Sequence, residues 1–374
     1  MERRKFLRGA GLAGILASGV APAAHANQAI RWRLASSFPK SLDITFGAAQ
    51  TFAREVKEMS GGKVDISVYA ADELMPSFGV LDGVQRGVVE CGHSSGSYYL
   101  GKDETFAIDS TIPFGMNSRQ MTAWMMYGKG LELLREFYRG YGVVNFPMGN
   151  TGAQMGGWYQ KPVRSLADLK GMRMRITQLG GQVLERLGAM PVNLPGSEVY
   201  KALERGNIAA AEWIGPYDDL RLGLHKVTKY YAYPGWWEGG TQFSLYVNQR
   251  AYDSLTAENK EIIEIAAAYA HLDMQAQYDA KNPPALKELV ATGAKLITLP
   301  KVVIDAAYRE AQELYAEFAD RNPHWKRIHG SYAAFQKEQT WGWGYAEMSF
   351  DAYMQDRMDE EAKKAKKSAP ARRR

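Results

Sequence analysis

Two segments of this chain hold residue types that could do chemistry together. Gly171-Met-Arg-Met-Arg175 ends on an arginine, and Glu212-Trp213 follows a run of small residues, Ala209-Ala-Ala211. A guanidinium offers a planar fork of donors that matches both oxygens of a carboxylate. A lysine ammonium would supply charge without that orientation. Arg175 is therefore a candidate clamp for an anion, the alternative being a surface arginine in an ion pair. Glu212 poses a complementary question. A carboxylate beside a bound carboxylate repels it or takes up a proton. A cation between the two resolves the conflict; otherwise Glu212 forms a salt bridge with a neighbouring Arg or Lys.

The elements that position these residues follow from hydrophobic periodicity. Residues 30–37 and 63–69 alternate apolar and polar and read as strands. Asp43 to Met59 reads as an amphipathic helix marked by Ile44, Phe46, Phe52 and Val56, and Gly61-Gly62 closes it. A helix over 78–86 and a short buried strand over 87–92 complete a β-α-β-α-β order, which implies a parallel sheet with helices on both faces. Farther on the pattern predicts a helix over 121–138 and strands over 143–148, 154–159, 172–176, 191–194 and 208–213. Helices over 180–187 and 197–205 alternate with these strands, the second opening at Ser197 as its cap. Arg175 and Glu212 then fall at strand ends. Two such units without an obvious linker suggest two lobes, and clefts between lobes are where small ligands bind. From Ala251 the chain turns helical, with one long helix over 257–278, a strand over 295–299 and a helix over 302–320. A further helical region over 332–367 carries Trp341, Trp343, Tyr345, Phe350 and Tyr353. Aromatics on a terminal helix need a second surface to cover them, and a homodimer contact is the expectation.

The N-terminus reads as an export signal. Glu2-Arg-Arg-Lys-Phe-Leu-Arg8 is a charged head with a twin arginine, an Ala/Gly-rich run extends to Ala24, and Ala24-His25-Ala26 is a small-x-small cleavage signature. Arg3-Arg4 with Phe6-Leu7 resembles the twin-arginine motif. The formal charge of +5 divides unevenly. The signal contributes a net +3 and residues 363–374 a net +7, which leaves the body at −5. A mildly acidic body with a basic tail does not suit nucleic acid. The tail reads as disordered, from 368 to 374 at least. One cysteine, Cys91, excludes a disulfide framework and reads as a small core residue.

Enzyme signatures are missing. His93, His225, His271, His324 and His329 show no metal-binding spacing. There is no Gly-x-Ser-x-Gly elbow, P-loop or Cys–His pattern, and the glycines at 152–157 and 180–181 lack the dinucleotide fingerprint. The chain reads as a binding protein, with a periplasmic hydrolase or lyase as the rival class.

Longer segments carry a family resemblance. Leu166-Ala-Asp-Leu-Lys-Gly-Met-Arg-Met-Arg-Ile176 resembles a Leu-x-Asp-Leu-Lys-Gly-x-Lys-x-Arg segment of the solute-binding proteins of tripartite ATP-independent periplasmic (TRAP) transporters. Ser197-Glu-Val-Tyr-Lys-Ala-Leu-Glu-Arg-Gly-Asn-Ile-Ala-Ala-Ala-Glu-Trp213 is similar to that family's Glu-Val-Tyr-x-Ala-Leu-x-x-Gly-x-Val-Asp-Gly block, departing from it at Ala210-Ala211. The resemblance spans essentially the whole mature chain. It implies an α/β, two-lobed periplasmic binding protein fold with a ligand cleft between lobes and a long C-terminal helical extension. Residues 27–150 with about 241–285 would form lobe I, 151–240 with about 286–331 lobe II, and 332–367 the extension. It implies a periplasmic receptor that passes a small organic carboxylate to membrane permease subunits. Glu212-Trp213 looks like the subgroup for 2-oxo or 2-hydroxy monocarboxylates with a bound cation, Na⁺ or Ca²⁺. On that resemblance Arg175 pairs with the ligand carboxylate, and Gln154, Glu212, the Trp213 carbonyl and Gln242 surround the cation. Gln154, Asn150, Tyr98, Tyr99 and Trp213 are candidate ligand contacts, and Trp236 and Trp237 further candidates. A dicarboxylate or aromatic acid as ligand, or a ligand-sensing adaptor, is the alternative.

Overall fold

A computed structural model describes residues 29–176 and 178–368. The expected export signal and cleavage site, and residues 369–374 of the basic tail, lie outside the described residues. Among the described residues no helix is long and apolar enough to cross a membrane.

The first half of the chain comprises β1 (Ile30–Ser36), α1 (Asp43–Met59), β2 (Val64–Tyr69), α2 (Val80–Gln85), β3 (Cys91–Ser94), α3 (Ser118–Tyr127), α4 (Gly130–Arg139) and β4 (Val143–Asn150). Then come β5 (Trp158–Tyr159), β6 (Arg173–Arg175), α5 (Gln178–Arg186), β7 (Met190–Val192), α6 (Gly196–Glu204), β8 (Ala210–Ala211), α7 (Pro216–Leu222) and β9 (Tyr230–Tyr233). The chain finishes with β10 (Gln242–Asn248), α8 (Gln249–Asp253), α9 (Ala257–Ala291), β11 (Lys295–Thr298), α10 (Lys301–Arg321), α11 (Pro323–Tyr345) and α12 (Glu347–Ser368).

The strands form two sheets, ordered β2-β1-β3-β10-β4 and β11-β9-β5-β8-β6-β7. The expected parallel unit is present in β1, β2 and β3, and β10 joins it antiparallel between β3 and β4. Alternation along β10 sends Leu245 and Val247 to a core shared with α1 and α9, and Tyr246 to the opposite core. In the second sheet, Met174 and Ala232 face one core and Trp158, Ala211 and Tyr231 the other. Both sheets are thus covered on both faces, which makes the fold the α/β, two-lobed class read from the sequence.

Several boundaries differ from the periodicity. The strand expected at 87–92 is β3, shifted to Cys91–Ser94, because Gly87 turns the chain at φ 68. The helix expected at 121–138 is two, broken at Gly128 and at Lys129, which sits left-handed at φ 69. The strands at 154–159 and 208–213 shrink to two residues each. Helix α6 opens at Gly196 after Pro195, so Ser197 lies inside it rather than capping it. Helix α9 runs 35 residues, through Pro283 and Pro284, instead of stopping at Tyr278. Its first half packs Ile262, Ile263 and Ala266 on the first sheet, and its second half packs Leu286 and Leu289 on the second. That burial outweighs the hydrogen bonds the prolines forgo.

The C-terminal region is helical from Pro323, earlier than expected, and α12 reaches Ser368, one residue past the expected end of the helical extension at 367. Trp325, Ile328 and Tyr332 are buried, whereas Trp341, Tyr345, Phe350 and Tyr353 are exposed. Cys91 is buried at the head of β3, where burial pushes its thiol pKa well above the ordinary value.

Candidate functional site

The site is built where β6 and β8 end side by side. The two strands are parallel, with Arg175 opposite Ala211, and the Glu212 N–H donates to the Arg175 carbonyl at 2.9 Å. Strand ends of this kind are the usual place for ligands in open α/β sheets. Small side chains let a third strand press against them. A Cβ on Gly157, which has φ 81, would lie 2.7 Å from the Ala211 carbonyl oxygen.

This geometry brings Arg175 and Glu212 together, both buried. Arg175 Nη1 donates to the Glu212 Oε2 at 2.8 Å and to the Glu212 carbonyl at 2.6 Å, while Nε donates to the Leu194 carbonyl at 3.2 Å. The salt bridge open to Glu212 is therefore made, and its partner is the candidate clamp itself. The guanidinium lies over the Trp213 ring, 4.6 Å from its centroid. Trp213 is held from behind by Gly196, where a Cβ would come within 2.5 Å of the indole.

Arg175 and Trp213 form one wall of a cavity of about 20 Å³. That is room for roughly one water molecule. The other walls are Phe38, Tyr98, Phe243 and the polar group Gln154, Glu238 and Thr241. Burial pushes the Tyr98 hydroxyl pKa up, and Arg175 opposes this while Glu212 and Glu238 add to it. One positive and two negative charges therefore act on the same aromatic hydroxyl.

Gln154 is buried, and its Nε2 donates to the hydroxyls of Thr151 at 3.0 Å and Thr241 at 2.9 Å. Thr241 Oγ1 in turn donates to Glu238 Oε2 at 2.6 Å. Gln154 Oε1 has no hydrogen-bond partner. An unpartnered amide oxygen on a residue lining the same cavity as Glu238 suits a hard cation with oxygen ligands. Among the described residues no group of three His, Cys, Asp or Glu could hold a metal, so a zinc-type site is not what is assembled.

Of the residues read from the sequence, Arg175, Gln154, Tyr98 and Trp213 line the cavity, and Glu212 joins them through Arg175. Tyr99 points elsewhere, while Gln242 and Asn150 each bond one amide atom away from the cavity and keep the other, Gln242 Oε1 and Asn150 Nδ2, buried without a hydrogen-bond partner. Gln242 donates to the Asp109 carbonyl at 3.0 Å and to its Oδ1 at 3.2 Å. Strand alternation explains this, since Thr241 and Phe243 take the cavity side and leave Gln242 the opposite one. Asn150 Oδ1 accepts from the Gly152 N–H at 2.9 Å. Tyr99 donates to Ser94 Oγ at 2.7 Å and accepts from the Leu81 N–H at 3.1 Å, inside the core. Trp236 and Trp237 are buried away from the cavity, Trp236 stacked on Phe114. Glu238, like Phe38, Thr241 and Phe243, lines the cavity without having been read from the sequence. The signal for Glu238 was its place between the tryptophan pair and Gly239-Gly240, a carboxylate set in an otherwise apolar turn.

Comparison with known proteins bears on this geometry. The family described as bacterial extracellular solute-binding protein, family 7 (DctP), matches residues 35–322. A monocarboxylate 2-oxoacid-binding periplasmic protein of Nostoc sp. (strain PCC 7120) is 45% identical over 325 residues, covering 87% of this chain and 89% of that protein. A TRAP transporter solute-binding protein from Bordetella bronchiseptica RB50 superposes with a TM-score of 0.87 at 42% identity, over 89% of this chain and 99% of that one. It is described as a mixed-occupancy dimer, with copurified calcium and picolinate in one active site and the other apo. A TRAP periplasmic solute-binding protein from Pseudoalteromonas atlantica T6c, with bound sodium and pyruvate, superposes with a TM-score of 0.84 at 40% identity, over 86% and 98% of the two chains.

Proposed function

The chain belongs to the DctP family of bacterial extracellular solute-binding proteins (family 7), and from that membership we propose that it is the receptor of a TRAP transporter for a small 2-oxo or 2-hydroxy monocarboxylate. Its relatives are transport receptors and not enzymes, and the family is extracytoplasmic. Export by the N-terminal signal and delivery to permease subunits complete the reading.

The observation that carries it is the buried Arg175 on the cavity wall, fixed by Glu212 and Trp213. Arg175 receives the ligand carboxylate. Glu212, Glu238, Gln154 Oε1 and the Trp213 carbonyl would hold Na⁺ or Ca²⁺, the ions found in the Pseudoalteromonas and Bordetella proteins. When bound, that ion offsets the repulsion between the ligand carboxylate and the two glutamates. Residues 27–150 with about 241–285, and 151–240 with about 286–331, act as lobes that close over the ligand and remove water, which strengthens each of these contacts. The exposed aromatics of α11 and α12 meet a second copy of the chain. Light scattering of the full-length protein and of the protein truncated after Ala346 checks this; a monomeric full-length protein sinks the dimer, and a truncated protein that stays dimeric removes α12 from the contact.

A second ligand, an aromatic 2-carboxylate, is favoured by the Bordetella protein's picolinate and by the aromatic walls Phe38, Tyr98 and Phe243. Picolinate shares with pyruvate a carboxylate beside a second donor atom, so one site can chelate either. Calorimetric titration of dialysed protein with pyruvate and with picolinate, with and without Ca²⁺ or Na⁺, decides. Cation-dependent binding lost in Arg175→Ala is expected. Binding of neither class would overturn the assignment of ligand.

A further inference from the structure

We infer that Thr151 and Thr241 are positioning residues for the cation site: they fix the Gln154 amide so that its oxygen, not its nitrogen, is left for the cavity. The inference rests on the cation reading above. Thr241 Oγ1 gives its proton to the Glu238 carboxylate at 2.6 Å. Thr151 Oγ1 gives its own to the Gly152 carbonyl at 2.9 Å. Each hydroxyl has one proton and two lone pairs, so toward Gln154 both can only accept.

An amide facing two acceptors must present its NH₂ group. Gln154 Nε2 is indeed shared between them, at 3.0 Å and 2.9 Å, and Oε1 is buried without a partner. The reverse orientation would set a carbonyl oxygen against two oxygens with no proton between them and place a buried donor in the cavity. A chain of four side chains, Glu238, Thr241, Gln154 and Thr151, thus gives this cavity wall the polarity of a cation ligand.

The two threonines have a second property. Thr151 follows the last residue of β4, where the chain leaves the first sheet, and Thr241 precedes β10, where it returns. Their backbones are joined: Thr151 N–H donates to the Thr241 carbonyl at 3.0 Å, and Thr241 N–H donates to Thr151 Oγ1 at 3.0 Å. Gln154 is therefore held at once by two of the three crossings between the sheets, the third running along α9. Its oxygen is aimed only while the two crossings keep this register, which links cation affinity to the relative position of the lobes.

Titration of CaCl₂ into the full-length mature protein held in pyruvate tests the inference. Thr241→Val removes a hydroxyl at nearly constant volume and is expected to weaken Ca²⁺ by about tenfold to a hundredfold, the usual scale for residues that orient metal ligands. Thr241→Ser, which keeps the hydroxyl, is expected to restore affinity to the wild-type range. A purely structural loss would instead lower the melting temperature in both and leave the calcium-induced rise in melting temperature unchanged. Thr151→Val is the second variant and serves if Thr241→Val does not fold. Wild-type Ca²⁺ affinity in both valine variants overturns the inference while leaving the cation site intact. Wild-type binding that ignores Ca²⁺ and Na⁺ overturns the cation reading, and this inference with it.

Discussion

One nitrogen of Arg175, Nη1, is bonded to both kinds of oxygen on Glu212, the main-chain carbonyl at 2.6 Å and Oε2 at 2.8 Å. Arg175 and Glu212 are thus one buried unit. Taking two charges out of water is costly, and each is tolerated because the other is there. The unit fixes the guanidinium without relying on ligand, so on the proposed function little ordering would remain when a carboxylate binds there.

Replacing Arg175 by Ala should cost about 2–5 kcal/mol of ligand binding, a factor of tens to thousands in Kd. Arg175→Lys keeps the charge but loses the fork and the planar contact with Trp213, and should fall between wild type and the alanine variant. Calorimetry with pyruvate checks both. A lysine variant as tight as wild type would mean that charge alone, without geometry, is read at this position.

Glu238→Gln keeps the acceptor for Thr241 Oγ1 while removing one negative charge from the cavity wall. Ca²⁺ affinity at fixed pyruvate should drop about tenfold or more, with a smaller loss for Na⁺, whose single charge depends less on a second carboxylate. Equal affinities before and after would remove Glu238 from the cation's neighbourhood.

Gly196→Ala places a methyl where the Trp213 indole already lies, 2.5 Å from the nearest ring atom. Overpacking of this kind costs about 1–3 kcal/mol or moves the neighbour. Moving Trp213 unseats the ring beneath Arg175, so pyruvate affinity should fall about tenfold or more while far-ultraviolet circular dichroism is unchanged. Undiminished affinity would show that the indole can shift without disturbing the guanidinium.

Asp218 supplies a pH test away from the ligand. It is fully buried on α7 and accepts from Tyr278 at 2.5 Å; burial raises its pKa to about 7. Neighbouring Asp219 is raised to about 6, also by burial. A carboxyl whose folded pKa lies above its unfolded value of 3.8 adds stability that is complete below that value and is lost as pH rises through the folded pKa. The wild-type protein should therefore lose stability between about pH 4 and pH 7 from this source. Asp218→Asn, which cannot ionise, should match wild type near pH 4 and exceed it at pH 8 by on the order of 2–4 kcal/mol. Melting curves across that range check it, and parallel curves for the two proteins would contradict it.

Much of the frame could be read from the sequence because local patterning and tertiary demand agree there. Asp43–Met59 is amphipathic, buries Ile44, Phe46, Phe52 and Val56, and ends before Gly61-Gly62, so its pattern and its packing give one answer. The place of Arg175 at the end of a short buried strand was legible, but strand position alone left clamp and ion pair open, and only the family resemblance favoured the clamp. The sequence failed where a long-range contact decides. Pro283 and Pro284 argue for ending α9, yet the leucines beyond them are needed to cover the second sheet. Gln242 and Thr241 are adjacent polar residues, and only the register of β10 against β4 tells which one reaches the cavity. Glu238 lay unnoticed because its role comes from Thr241 and Gln154, residues that meet it through the crossing of the two sheets rather than through any spacing in the chain.

Cys91, buried at the head of β3, has a practical bearing. Its thiol is shielded from solvent and held protonated by burial, so maleimide and nitroxide reagents, which need an exposed thiolate, should pass it by. The natural chain is then ready to receive one introduced cysteine in each lobe, with no background residue to remove. A donor and an acceptor dye placed that way would turn this protein into an optical reporter for small carboxylates, calibrated on the unaltered site.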